Sequence, residues 1–265
     1  MLTEIITSNQ NPKVKFLNKL YDKSSFRKAE GLFVVEGERE VERAIKSGYQ
    51  LENVFYCPEV GHKQNPGLQV DVEKIIYIGQ SIFENFAYRE FSDGVIAVFK
   101  SRPQGLNDLN LSENPLIIII ETVEKPGNLG AIFRTADAAK VDAIIVCDPK
   151  TDLYNPNVIR ASVGCVFSVP FATGSSEEVF EWIKNKKINL YGASLLTKEI
   201  YTDVDYKKST AIVVGSEADG LSDFWLKNTH QIKIPMQGIA DSLNVSVSCA
   251  VIIFEAVRQR GLRIL

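Results

Sequence analysis

The chain has 265 residues, 45% of them hydrophobic and 24% charged, with a formal net charge of −3, values of an ordinary globular protein with room for two modest domains. No apolar run approaches the roughly 18 residues of a membrane span, and the start, Met1-Leu2-Thr3-Glu4, lacks the basic-then-apolar layout of a signal peptide, so a cytoplasmic protein is expected. Four cysteines without CxxC spacing and only two histidines argue against a zinc site of the usual pattern, so no metal is expected and the cysteines read as free thiols.

The first feature along the chain is basic: Lys13, Lys15, Lys19, Lys23, Arg27 and Lys28 stand against the single acid Asp22. Such a run is either the solvated face of an amphipathic helix or a local phosphate-contact surface. The overall acidic balance counts mildly against nucleic acid, but charge can be local. Residues 32–35, 54–56 and 95–98 read as short buried strands, and Val41, Ala44 and Ile45 mark one helical face. These make a small α/β domain, placed at residues 1–105. A polar stretch at 101–115 with Pro, Gly, Asn and Asp has linker composition.

From there strand and helix signals alternate. Strands are expected at 116–120, 143–146, 168–171, 189–193 and 211–214, and helices at 129–139, 157–163, 177–184 and 245–260. The alternation predicts a mostly parallel sheet covered on both faces in a second domain, residues 106–265. Ligands in such folds bind beyond the carboxyl ends of the strands, and three loops there are rich in Gly, Asn and Ser.

The first, Glu121 to Arg134, carries Gly127, Asn128 and Gly130 at the start of a helix. Glycine permits close backbone approach, and Asn128 suits a cap. It is not a dinucleotide fingerprint, since GxGxxG is absent. The second, Gly215-Ser216-Glu217-Ala218-Asp219-Gly220-Leu221, has Leu221 where a P-loop needs lysine, which excludes a nucleoside triphosphate site of that kind. The third runs from Ile234-Pro235-Met236 to Ser242-Leu243-Asn244-Val245-Ser246 and leads into an apolar helix. Ser242 or Asn244 is expected to cap that helix.

Taken one at a time, these loops also fit plain turns and caps. In chain order and spacing, the segments 128–136 (NLGAIFRTA), 214–221 (VGSEADGL) and 234–246 resemble the three motifs of the SpoU (TrmH-like) family of the SPOUT superfamily, RNA ribose 2′-O-methyltransferases. The segment 33–41 (FVVEGEREV) is similar to the substrate-binding domain that often precedes such catalytic domains. The resemblance implies an α/β fold: a C-terminal parallel-sheet SPOUT domain whose last segment threads a deep trefoil knot, after a small N-terminal α/β RNA-binding domain. It implies S-adenosyl-L-methionine as cofactor, lined by Ser194, Leu195, Gly215, Ile234, Met236 and Leu243. It places catalysis on Arg134, with Asn128, Glu217, Ser242 and Asn244 around it. It implies RNA contacts at Lys13, Arg27 and Arg39, and a homodimer through the C-terminal domain and its last helix. Because guanidinium stays protonated, Arg134 is expected to stabilise developing alkoxide and clamp phosphate, the proton leaving through water or a carboxylate. Ribosomal RNA is the favoured substrate and tRNA the second. Two alternatives stay open: an RNA-binding protein of this fold without catalysis, and a base or protein methyltransferase of the wider superfamily.

Overall fold

Residues 13–28 fold as two helices, α1 (Pro12–Asp22) and α2 (Ser24–Glu30), because Lys23 is both the C-cap of the first and the N-cap of the second. Asn11 caps α1 by accepting from the Lys13 N–H, and Pro12 occupies its first position, where the missing N–H costs nothing. Gly31, at φ 63°, ends α2 in the left-handed region. Val14, Leu17 and Leu20 face inward. The computed structural model describes residues 4–86, 93–103, 105–216 and 220–261. Two compact units result: Met1–Arg102 with Asp152–Ser168, and Pro103–Thr151 with Val169–Leu265. The contiguous division at residue 105 expected from linker composition does not contain this excursion of residues 152–168.

In the first unit, strands β1 (Ile5–Ile6), β2 (Leu32–Glu36), β3 (Leu51–Tyr56), β4 (Ile75–Ile78) and β5 (Val95–Lys100) form one sheet in the order β1-β4-β3-β5-β2. Strand β5 is antiparallel to both neighbours, and the remaining pairs are parallel. Helix α3 (Glu38–Lys46) follows β2, and single helical turns α4 (Pro58–Gly61) and α5 (Gln80–Phe83) follow β3 and β4. Val14, Leu17 and Leu20 of α1 pack with Val34, Phe55, Ile96 and Val98 into one core. Phe33 points to the other face, as strand alternation requires. There its ring stacks on Tyr154 of the excursion, with centroids 4.3 Å apart, and lies 5.7 Å from Phe167.

The excursion also accounts for Arg27. This side chain is 4% exposed, binds Asp152 through Nε at 2.7 Å, and donates from Nη1 to the carbonyls of Leu20 and Tyr21 at 2.7 and 2.9 Å. A guanidinium committed in this way is not available to RNA phosphate, contrary to the expectation for Arg27.

The second unit holds β6 (Leu116–Glu121), α6 (Pro126–Ala138) and β7 (Ala143–Cys147). After α7 (Pro156–Ala161), which lies in the excursion, come β8 (Phe171–Gly174), α8 (Ser176–Asn185), β9 (Asn189–Ala193) and β10 (Thr210–Val214). The chain continues through α9 (Asp223–Asn228) and β11 (His230–Ile232) to α10 (Val245–Gln259). The strand expected at 168–171 is β8, displaced because Cys165–Phe167 forms a 3-10 turn. The sheet order is β11-β9-β10-β6-β7-β8, and every pair is parallel.

Ile117, Ile119, Ala211 and Val213 pack with Val179 and Ile183 of α8 and Trp225 of α9. On the helical side, α10 packs along α6. The far end of α10 is secured by Arg260, which donates to the carbonyls of Tyr206, Asn114, Pro115 and Lys208 at 2.6–3.2 Å. Among the described residues, no helix is long and apolar enough to cross a membrane.

Removing one member of a buried ion pair leaves the other charge stranded at a cost of about 3–5 kcal/mol. Arg27→Ala is therefore expected to destabilise the protein by about that amount, measured by chemical denaturation; a loss under about 1 kcal/mol would show that Asp152 finds other partners.

Candidate functional site

The site forms where four parallel strands of the second unit end. Strand β10 runs out at Val214 into Gly215 and Ser216, and the chain doubles back: Ser216 N–H donates to Gly220 O at 2.9 Å and Gly220 N–H to Ser216 O at 3.2 Å. Gly220 adopts φ 70°. A Cβ on Gly215 would collide with the Gly220 carbonyl and the Leu221 nitrogen, so position 215 has no room for a side chain. Glu217, between these glycines, lies outside the described residues.

Strand β9 leads into Ser194, whose N–H donates to Ile232 O at 2.9 Å, while its Oγ accepts from the Leu196 N–H at 3.1 Å. Beyond β11, Ile234 and Met236 lead into residues 237–244, all exposed. Asn244 then caps α10, its Oδ1 accepting from Ser246 N–H at 2.9 Å and Ser246 Oγ at 2.7 Å. Its Nδ2 donates to Asn128 Oδ1 in the first turn of α6 at 3.2 Å. One amide thus caps a helix and ties the first and third motif loops together across 116 residues.

These loops enclose a cavity of about 560 Å³. Ser194, Leu195, Gly215, Ile234, Met236 and Leu243, the six expected cofactor contacts, all line it. So do Ser242 and Asn244 of the expected catalytic set, while Asn128 reaches it through Asn244. Arg134 does not line the cavity. It lies on the exposed side of α6, and its side chain makes no ion pair among the described residues. Lys13 in the first unit is exposed, and the half-exposed Arg39 pairs with Glu40 at 2.7 Å.

Apolar side chains around backbone donors and acceptors suit a flat heteroaromatic ring joined to a polar chain. The cysteines offer no rival chemistry. All four are buried and none is in a disulfide, and burial pushes Cys57 up to about 11 and Cys249 up to about 12, so both stay neutral thiols near pH 7.

Lys125, Leu196 and Glu121 are among the contributors that were not anticipated. Lys125, the N-cap of α6, and Leu196 both line the cavity. Glu121, at the end of β6, is buried and accepts from the Ser222 N–H at 2.9 Å. Its signal was available: a carboxylate directly after Leu116-Ile117-Ile118-Ile119-Ile120 must find a partner if the strand is central.

Residues 115–254 match the SpoU rRNA methylase family, and residues 11–97 match the MRM3-like substrate binding domain. Among curated proteins, the chain is similar to the 23S rRNA (guanosine(2553)-2′-O)-methyltransferase RlmP of Bacillus subtilis, at 28% identity over 94% of this chain and 97% of that protein. A crystal structure of an RNA 2′-O ribose methyltransferase is 36% identical, with a TM-score of 0.83, covering 98% of this chain and 100% of the other. The AdoMet-bound rRNA methyltransferase from Sinorhizobium meliloti superposes with a TM-score of 0.86 at 27% identity, covering 98% of this chain and 99% of that one. The motifs, the parallel sheet and the family match over more than half of its length agree: this chain belongs to the SpoU rRNA methylase family.

Proposed function

We propose that the protein transfers a methyl group from S-adenosyl-L-methionine to a ribose 2′-hydroxyl of ribosomal RNA, acting as a homodimer in the cytoplasm. One observation carries this reading: three loops far apart in sequence enclose one cavity, lined by all six expected cofactor contacts together with Ser242 and Asn244. The AdoMet-bound relative and the 23S rRNA specificity in the name of the Bacillus subtilis protein support the cofactor and the substrate class.

The residues fit such a cofactor. Gly215, bare of a side chain, lets the Gly220 backbone close against it to form one wall, and Leu195, Ile234, Met236 and Leu243 supply apolar walls. When bound, the sulfonium supplies an activated methyl group with a good leaving group. The protein must then orient the hydroxyl and ease loss of its proton. Asn244, held by Asn128, has a fixed orientation at the cavity rim. Arg134, exposed beyond the cavity, suits contact with a macromolecule: its fork can hold a phosphate and stabilise charge developing on the hydroxyl oxygen. Glu217 stays in the reading as a motif residue of this site.

In the first unit, Lys13, Lys15, Lys19, Lys23 and Lys28 are exposed, and with Arg39 they supply the RNA-contacting cations. Such contacts position RNA without reading its sequence. Val247 and Phe254, seven residues apart and so on one stripe of α10, are 47% and 45% exposed, which supports dimerisation through that helix. Strand β10, inserted between β9 and the earlier β6, is consistent with the knotted path of the family.

The test is a map of 2′-O-methyl sites across rRNA and tRNA from cells with and without the protein. Loss of methylation at an rRNA ribose is expected; loss confined to tRNA would redirect the substrate, and an unchanged map would refute the activity. Arg134→Lys keeps the charge and loses the fork, so kcat/KM is expected to fall about tenfold or more; near-full activity would show that fork geometry is unimportant. Gly215→Val forces a side chain into backbone, and cofactor affinity measured by calorimetry is expected to fall about tenfold or more with the fold retained.

A further inference from the structure

Glu121 is the only carboxylate buried in the second unit among the described residues, at 5% exposure. It ends the central strand β6, one residue past the pair Ile120–Val214, beside the point where β10 gives way to Gly215. A buried charge is tolerated only when hydrogen-bonded, and Glu121 Oε2 accepts from the Ser222 N–H at 2.9 Å. Ser222 directly follows Gly220 and Leu221, which wall the cavity, and it is the N-cap of α9. The chain turns sharply just after Glu121: Thr122 stands at φ 49°, a left-handed conformation costly for a β-branched residue, with its N–H donating to Cys147 O at 3.3 Å.

We infer that Glu121 is a positioning residue: by holding the Ser222 N–H, its carboxylate keeps the Gly220–Leu221 wall at the spacing the methyl donor requires. The claim rests on the methyltransferase reading above and concerns how its pocket is braced. The Gly220 backbone packs directly on Gly215, with no side chain between to absorb a shift, so movement of Ser222 passes to the wall facing the ligand. A carboxylate bound to a backbone N–H is stronger than a neutral pair, which suits a tie spanning 101 residues. Glu121 does not itself line the cavity, so its effect belongs in cofactor affinity rather than in the chemical step.

The test uses the full-length protein, calorimetry with S-adenosylmethionine and S-adenosylhomocysteine, initial rates, and thermal unfolding. Glu121→Ala is expected to raise Kd and KM for the donor about tenfold or more, with kcat at saturation within about threefold of the wild type. Glu121→Gln retains an oxygen that accepts from Ser222 and is expected to stay within about threefold in Kd. Ser222→Pro, compatible with the observed φ of −64°, deletes the donor and is expected to reproduce the Glu121→Ala loss. If Glu121→Ala does not fold, the other two variants decide. Unchanged Kd in folded Glu121→Ala or Ser222→Pro protein would overturn the inference, whatever happens to thermal stability. A Glu121→Gln defect as large as that of Ser222→Pro would overturn it too, showing that an accepting oxygen at this position is not enough to hold the wall. A wild-type protein with no affinity for either probe would instead refute the methyltransferase reading itself.

Discussion

All six strands of the second unit run in one direction, and the site depends on that alignment. Parallel strands need crossovers, and crossovers bring every carboxyl end to the same edge of the sheet. The turns after β6, β9, β10 and β11 therefore leave side by side, although the first and last are more than one hundred residues apart in the chain. Antiparallel pairing of β10 with β6 would carry Gly215 to the opposite edge. The clasp of Arg260 on four carbonyls secures the remote end of α10 against the chain entering β6 and β10, which holds the Asn244 end in place at the other.

Within the site, polar residues join elements more than they fill space. Asn244 serves two helices at once, Glu121 holds the turn that begins α9, and the Ser216–Gly220 pair closes a loop whose glycines let backbone lie on backbone. A ligand pocket made of such ties is preorganised, so binding orders little that is not already ordered. The cost is intolerance: Gly215 accepts no Cβ.

Legibility in the sequence followed the physics of each element. Strands such as Ala143–Cys147 and Thr210–Val214 were readable because a strand buried on both faces shows a nearly continuous apolar run. Strand β11 and helix α9 carried no signal, being three and six residues long without a periodic face. The basic run illustrates a different limit. Counting cations says nothing about direction, and the break at Lys23 resets the helical phase, so that Arg27 turns inward while its lysine neighbours stay exposed. For the site, residue identities came through resemblance to a family. The pairing of Asn128 with Asn244 and of Glu121 with Ser222 came only from three dimensions, since no local rule connects positions so distant.

The excursion at Asp152–Ser168 has a consequence for how this protein can be divided. A fragment cut at the linker would carry Phe33 without Tyr154 and Phe167, and Arg27 without Asp152. It would expose an aromatic face and leave a cation sealed inside with half its partners gone. Exchange of the first unit would therefore have to transplant two separate stretches of chain together. The two units are joined by an interleaved chain rather than by a single linker.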